Sequence, residues 1–128
     1  MLLGAHLAGA AIENAMLGAA HALANPLTAH HGVVHGVAVG LMLPHVIRFN
    51  SESGGNPYAD LADDFHALAH RVESMLSAAS LQRRLAELDV AASDLPSLAK
   101  IAATQWTATF NPREVGEAEL LAIYQSAL

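Results

Sequence analysis

The sequence contains no cysteine. A disulfide framework and every cysteine-based zinc site are thereby excluded, and any bound metal must use imidazole, carboxylate or water. A cysteine-free chain is compatible with the cytoplasm, the setting we expect for it. Charge is also scarce. Only 14% of residues are charged, the six lysines and arginines are scattered, and the net charge of -6 argues against a nucleic-acid partner. Aromatics make up 5% and alanine is abundant, which favours closely packed helices over a sheet. There is no G-x-G-x-x-G fingerprint, no G-x-S-x-G elbow and no alternating strand–helix pattern, so neither a dinucleotide-binding unit nor a hydrolase nucleophile is encoded. Residues 1–27 are apolar, but His6, Glu13, Asn14 and His21 interrupt the run and no basic segment precedes it. A buried core helix is expected there, not a membrane span or signal peptide.

What is present is apolar bulk. The 128 residues are 53% hydrophobic, enough for one domain with a real core and no internal boundary. From Leu2 to Ala24, Leu3, Leu7, Ala10, Asn14, Leu17 and His21 recur at helical steps. The pattern predicts one helix packed on several sides and ended by Asn25-Pro26. Thr28 to Gly32 reads as a connection. Val33 to Phe49 reads as a second helix that Pro44 bends or breaks, and Asn50 to Pro57 as a loop. Pro57 then suits the first turn of a helix through YADLADDFHAL. Arg71–Ala79 and Leu81–Leu88 are expected as two short helices with Ser80 as a cap between them. Asp94 and Pro96 open a helix running to about Trp106, Thr107–Val115 is a loop, and Glu117–Ala127 forms an amphipathic terminal helix. The expected fold is an all-α bundle of six or seven helices.

Histidine is the other abundance. The stretch from Gly18 to Asn50 holds five of the eight histidines and two of the five prolines. His21 and His35 lie on either side of the expected helix break, so their rings can converge from different segments. Two neutral imidazoles in an apolar setting suit a first-row divalent ion. The residues alone leave a second possibility open, that each is a core histidine satisfied by a backbone carbonyl. Asp60, Asp63 and His66 also show carboxylate–histidine spacing, for which a solvated helix face is the expectation. His30 and His31 are expected to face solvent or cap a helix in the turn, His6 and His70 have no visible partner, and none of these, nor His45, is expected to be a ligand.

LGAAHALANPLTA, the His35-Gly36 pair, LMLPHVIRFN, DLPSLAKIA and FNPREV occur in an order and at a spacing that resemble the iron-containing (group III) alcohol dehydrogenase family. The resemblance is to that family's helical half, a dehydroquinate synthase-like C-terminal domain. It implies that His21 and His35 are metal ligands, to iron or zinc. An Asp and a further His, which complete the family's site from an earlier helix, have no counterpart in this sequence. Many members place a histidine where Asn25 stands. Asn25 can still hydrogen-bond a substrate but cannot shuttle a proton as imidazole does, and it equally suits a helix stop before Pro26. His45 falls in the family's LPH turn, and Asn111-Pro112-Arg113 matches a late NPR element expected to fix a loop.

The resemblance therefore implies residues 1–128 of a single all-α domain, the C-terminal part of a two-domain enzyme without its nucleotide-binding half. It implies oxidation of an alcohol, or reduction of an aldehyde, with NAD(P) held by the absent domain. This chain alone is expected to lack dehydrogenase activity. A non-enzymatic module is the competing expectation, with apolar surface on Leu2–Ala24 favouring a homo-oligomer.

Overall fold

Leu23, Leu27, Leu41, Met42, Leu120 and Tyr124 have no exposed surface, and the helices of the protein are arranged around them. The computed structural model describes residues 2–52 and 55–128. Among the described residues six α-helices occur in chain order: α1 Leu2–Ala15, α2 Ala19–His31, α3 His35–Ser51, α4 Phe65–Ala78, α5 Leu95–Ala103 and α6 Glu117–Ser126. Short 3-10 helices span Leu85–Leu88 and Trp106–Phe110, and no strand occurs among the described residues. The expected all-α bundle is observed.

Helix α2 is the hub. It packs against α3 on one side and against α5 and the Trp106–Phe110 turn on another, while α4 lies on α3 and α6 on α5. Each buried leucine contributes about 1.5–3 kcal/mol over its exposed state. Among the described residues no helix is long and apolar enough to cross a membrane.

Three expectations fail for instructive reasons. The long helix from Leu2 to Ala24 is two helices, because Met16 adopts a left-handed conformation (φ 60°) and α2 starts afresh at Ala19. Helix α1 is not packed on several sides. None of its residues is buried, and Leu2, Leu3 and Leu7 are 90%, 71% and 58% exposed. Pro26 does not end the helix that carries it, and Pro44 does not break α3. A proline inside a helix costs about 3 kcal/mol. Here both rings are fully buried, and the core contacts of Leu23, Ala24 and Leu27 offset that cost. Helix α2 instead stops at Gly32, whose left-handed backbone (φ 66°) lets its N–H reach the Leu27 carbonyl.

Smaller corrections follow from caps. Pro57–Leu61 forms turns, and α4 begins at Phe65 because the Asp64 carboxylate accepts the His66 N–H at 2.8 Å. The two short helices expected around Ser80 become α4, a left-handed Ser80 (φ 55°) and the Leu85–Leu88 turn. Asn50 and Ser51 close α3 rather than opening a loop. Ser53 and Gly54 of that expected loop lie outside the described residues. Helix α5 stops at Ala103, short of Trp106. The terminal helix α6 is where it was expected, with the Glu119 carboxylate accepting the Gly116 N–H at 2.9 Å. Its own backbone N–H first, then that of Gly116, hold the Glu119 carboxyl below its ordinary range.

Candidate metal centre

His21 lies in the first turn of α2 and His35 is the first residue of α3, so the tight turn at Gly32–Val34 folds one ring back beside the other. Their centroids are 5.4 Å apart, with the planes inclined by 51°. Two imidazoles bound tetrahedrally to one ion, at about 2.0–2.1 Å from each nitrogen, would place their centroids roughly 5 Å apart. The observed spacing fits a shared ion. The set is incomplete, however: no group of three or more His, Cys, Asp or Glu able to hold a metal occurs among the described residues. Asp60 and Asp63 lie in the segment before α4, not on a helix with His66.

His21 lines a mostly apolar groove of about 370 Å³ together with Val39, Leu43 and Val46 of α3. Partial burial, and secondarily the neighbouring His35, hold its imidazole below the usual histidine range. It is therefore neutral at ordinary pH, the state a ligand must have. His35 is exposed, and its Nδ1 lies 3.5 Å from the Thr28 hydroxyl oxygen.

Asn25 is not a helix stop, since α2 runs on past it. Four residues after His21 and three before Thr28, it belongs to the same face of α2. Its Nδ2 donates to Gln105 Oε1 at 2.9 Å, and its Oδ1 accepts no hydrogen bond from another side chain among the described residues. Thr28 and Gln105 were not singled out in the sequence. The helical spacing His21–Asn25–Thr28 could have revealed Thr28, had Pro26 not suggested that the helix ended. Nothing local points to Gln105. His30 and His31 occupy the last turn of α2 instead of a connection, with His31 Nε2 3.9 Å from Asp94.

The pair is held in place from far away in the chain. Asn111 Oδ1 accepts the Ala19 N–H at 3.2 Å, capping the helix that carries His21. Gly18 permits this approach, because a Cβ there would sit 3.2 Å from the same oxygen. Asn111 Nδ2 donates to Asn50 Oδ1 and to the Arg113 carbonyl, both at 2.7 Å. Arg113 lies over the Phe49 ring at 3.8 Å and donates to the Phe49 carbonyl. The NPR element ties the end of α3 to the start of α2.

His45 is inside α3, not in a turn, with Nδ1 2.9 Å from Ser126 Oγ. Burial first, then Arg48, push its imidazole below the usual range, and Glu73 opposes them. With His21 and His45 both depressed in the folded state, the unfolded chain binds protons more readily below about pH 6.5. Stability is therefore present above that value and is lost as pH falls through the folded values beneath it. Urea midpoints should be lower at about pH 5 than at about pH 8, with a smaller drop in His45→Gln. A midpoint independent of pH would contradict this.

The family model for the C-terminal part of the Fe-containing alcohol dehydrogenase family matches residues 1–128. Lactaldehyde reductase of Escherichia coli (strain K12) is 30% identical over 140 residues, covering 99% of this chain and 37% of that protein. The 1,3-propanediol dehydrogenase of Citrobacter freundii is 33% identical over 134 residues, covering 94% and 35%. A crystal structure of 1,3-propanediol oxidoreductase superposes with a TM-score of 0.84 at 31% identity, covering 95% of this chain and 35% of that one. The chain thus spans little more than a third of the relatives it matches. It belongs to the iron-containing alcohol dehydrogenase family, within that family's C-terminal helical part.

Proposed function

We propose that this domain contributes two ligands, His21 and His35, to a divalent iron or zinc centre in an NAD(P)-linked alcohol or aldehyde oxidoreductase. The 5.4 Å approach of the two rings carries this reading, set on a domain of the matching family. When bound, the ion would supply Lewis acidity toward an alcohol or carbonyl oxygen. His21 and His35 would donate neutral nitrogens, and the groove beside His21 would limit water on that side. Asn25, its amide held by Gln105, would accept a hydrogen bond from a substrate hydroxyl through Oδ1. The dinucleotide would sit on residues outside this chain, which carries no motif for it. A cytoplasmic setting belongs to the same reading.

The test is a zinc and ferrous-ion titration of the chain beside His21→Ala and His35→Ala. Binding should be weak in the parent and fall by more than about 100-fold in each variant. The chain alone should form no NADH from short alcohols. Unchanged metal affinity in both variants would defeat the proposal.

The full exposure of α1 favours a second reading, a self-associating module of the same fold. Sedimentation of the same samples separates the two. A concentration-dependent dimer without metal binding supports the module, and a monomer at all concentrations removes it.

A further inference from the structure

Hydroxyls on the helices of this domain generally turn back on their own backbone. Ser51 and Ser74 donate to carbonyls four residues earlier, and Thr104, Thr109 and Ser126 to carbonyls three earlier. Ser126 also lies 2.9 Å from His45 Nδ1, and among the described residues Thr28 makes only a contact of that second kind. Its Oγ1 reaches from α2 to Nδ1 of His35, 3.5 Å away at the start of α3. No other hydrogen bond to that ring is present among the described residues. His35 is exposed, so without a partner its ring would be free to turn.

The chemistry of a ligating imidazole gives this contact a direction. The nitrogen that binds an ion must be free of hydrogen, so the proton of the neutral ring has to reside on the other one. A ring alone in water has nothing to enforce that choice. A hydroxyl beside Nδ1 can accept its N–H, which frees the lone pair of Nε2.

We propose that Thr28 is a positioning residue for His35, accepting the Nδ1–H hydrogen bond and so presenting Nε2, beside His21, to a divalent transition-metal ion. This rests on the metal reading of the pair, and two separate measurements distinguish failure of one from failure of the other. The first needs no metal. Nitrogen-15 imidazole spectra of the metal-free chain at about pH 8, where histidines are neutral, report which ring nitrogen carries the proton. His35 should be the Nδ1–H tautomer in the parent and in Thr28→Ser, which keeps the hydroxyl. It should shift toward Nε2–H in Thr28→Val, which keeps the shape and loses the hydroxyl. An Nε2–H ring in the parent, or the same tautomer in all three, overturns the proposal.

The second measurement is zinc affinity of the three proteins, with helical circular dichroism confirming the fold of each. Thr28→Val should weaken binding by about 10-fold or more, and Thr28→Ser should remain within about threefold of the parent. Equal affinity in Thr28→Val overturns the role toward the metal. A parent chain that binds no zinc counts against the metal centre itself, and the tautomers then decide whether Thr28 holds the ring.

Discussion

Replacing Tyr124 by alanine is expected to lower the unfolding free energy by about 3–5 kcal/mol, by analogy with other buried aromatics. Tyr124 has no exposed surface, although it belongs to the last helix of the chain. It belongs to the buried core with Leu23, Leu27 and Leu120, and its hydroxyl donates to the Leu23 carbonyl on α2. Burial accordingly pushes the phenol well above its ordinary value, so it stays a donor at any working pH. The alanine variant loses both the aromatic filling and the hydrogen bond. Tyr124→Phe should cost only about 0.5–1.5 kcal/mol, the share of the bond alone. Urea unfolding of the three proteins checks the split. A Phe variant as unstable as the Ala variant would assign the effect to the hydroxyl instead of the packing.

Asn111→Ala is expected to cost about 2–4 kcal/mol, more than a residue in a loop ordinarily would. The reason is what it leaves behind. The Ala19 N–H is wholly buried and Asn50 is 4% exposed, so neither finds water readily when the amide is gone. Asn50 keeps only its contact to the Tyr58 hydroxyl, at 2.7 Å. Asn111→Asp is the informative companion. It retains an acceptor for Ala19 but has no N–H to give Asn50 or the Arg113 carbonyl, so its loss should lie on the donor side. Amide exchange of Ala19 should quicken in the alanine variant and stay slow in the aspartate one. Equal exchange in both would mean that the α2 cap is not made by residue 111.

These two residues also show what a sequence discloses. The all-α class and the final helix were legible because Leu120, Ile123 and Tyr124 recur at helical spacing behind two acids. The approach of His21 and His35 followed from their places on either side of a helix break, although the break falls at Gly32 and not at Pro26. The break at Met16–Gly18 was not legible, since the apolar steps run through it. The acceptor that fixes the new start comes from Asn111, 92 residues away. Pro26 and Pro44 misled for the opposite reason. The local rule against proline is sound, but burial in the core outweighed it, and no window of neighbouring residues reports burial. The error at Pro26 then hid Thr28, by placing it in a loop when it shares a helical face with His21. For α1 the pattern was read correctly as apolar and wrongly as covered.

The remote cap has a consequence for the order in which the nascent chain can mature. Helix α2 is made before the residue that caps it, and its first amide finds a partner only after residue 111 has been made. At about 5–20 residues per second, that separation of 92 residues is an interval of roughly 5–20 s. Throughout it the His21 segment has neither its cap nor the Tyr124 hydroxyl, which arrives later still. The imidazole pair is thus translated well before the contacts that lock it.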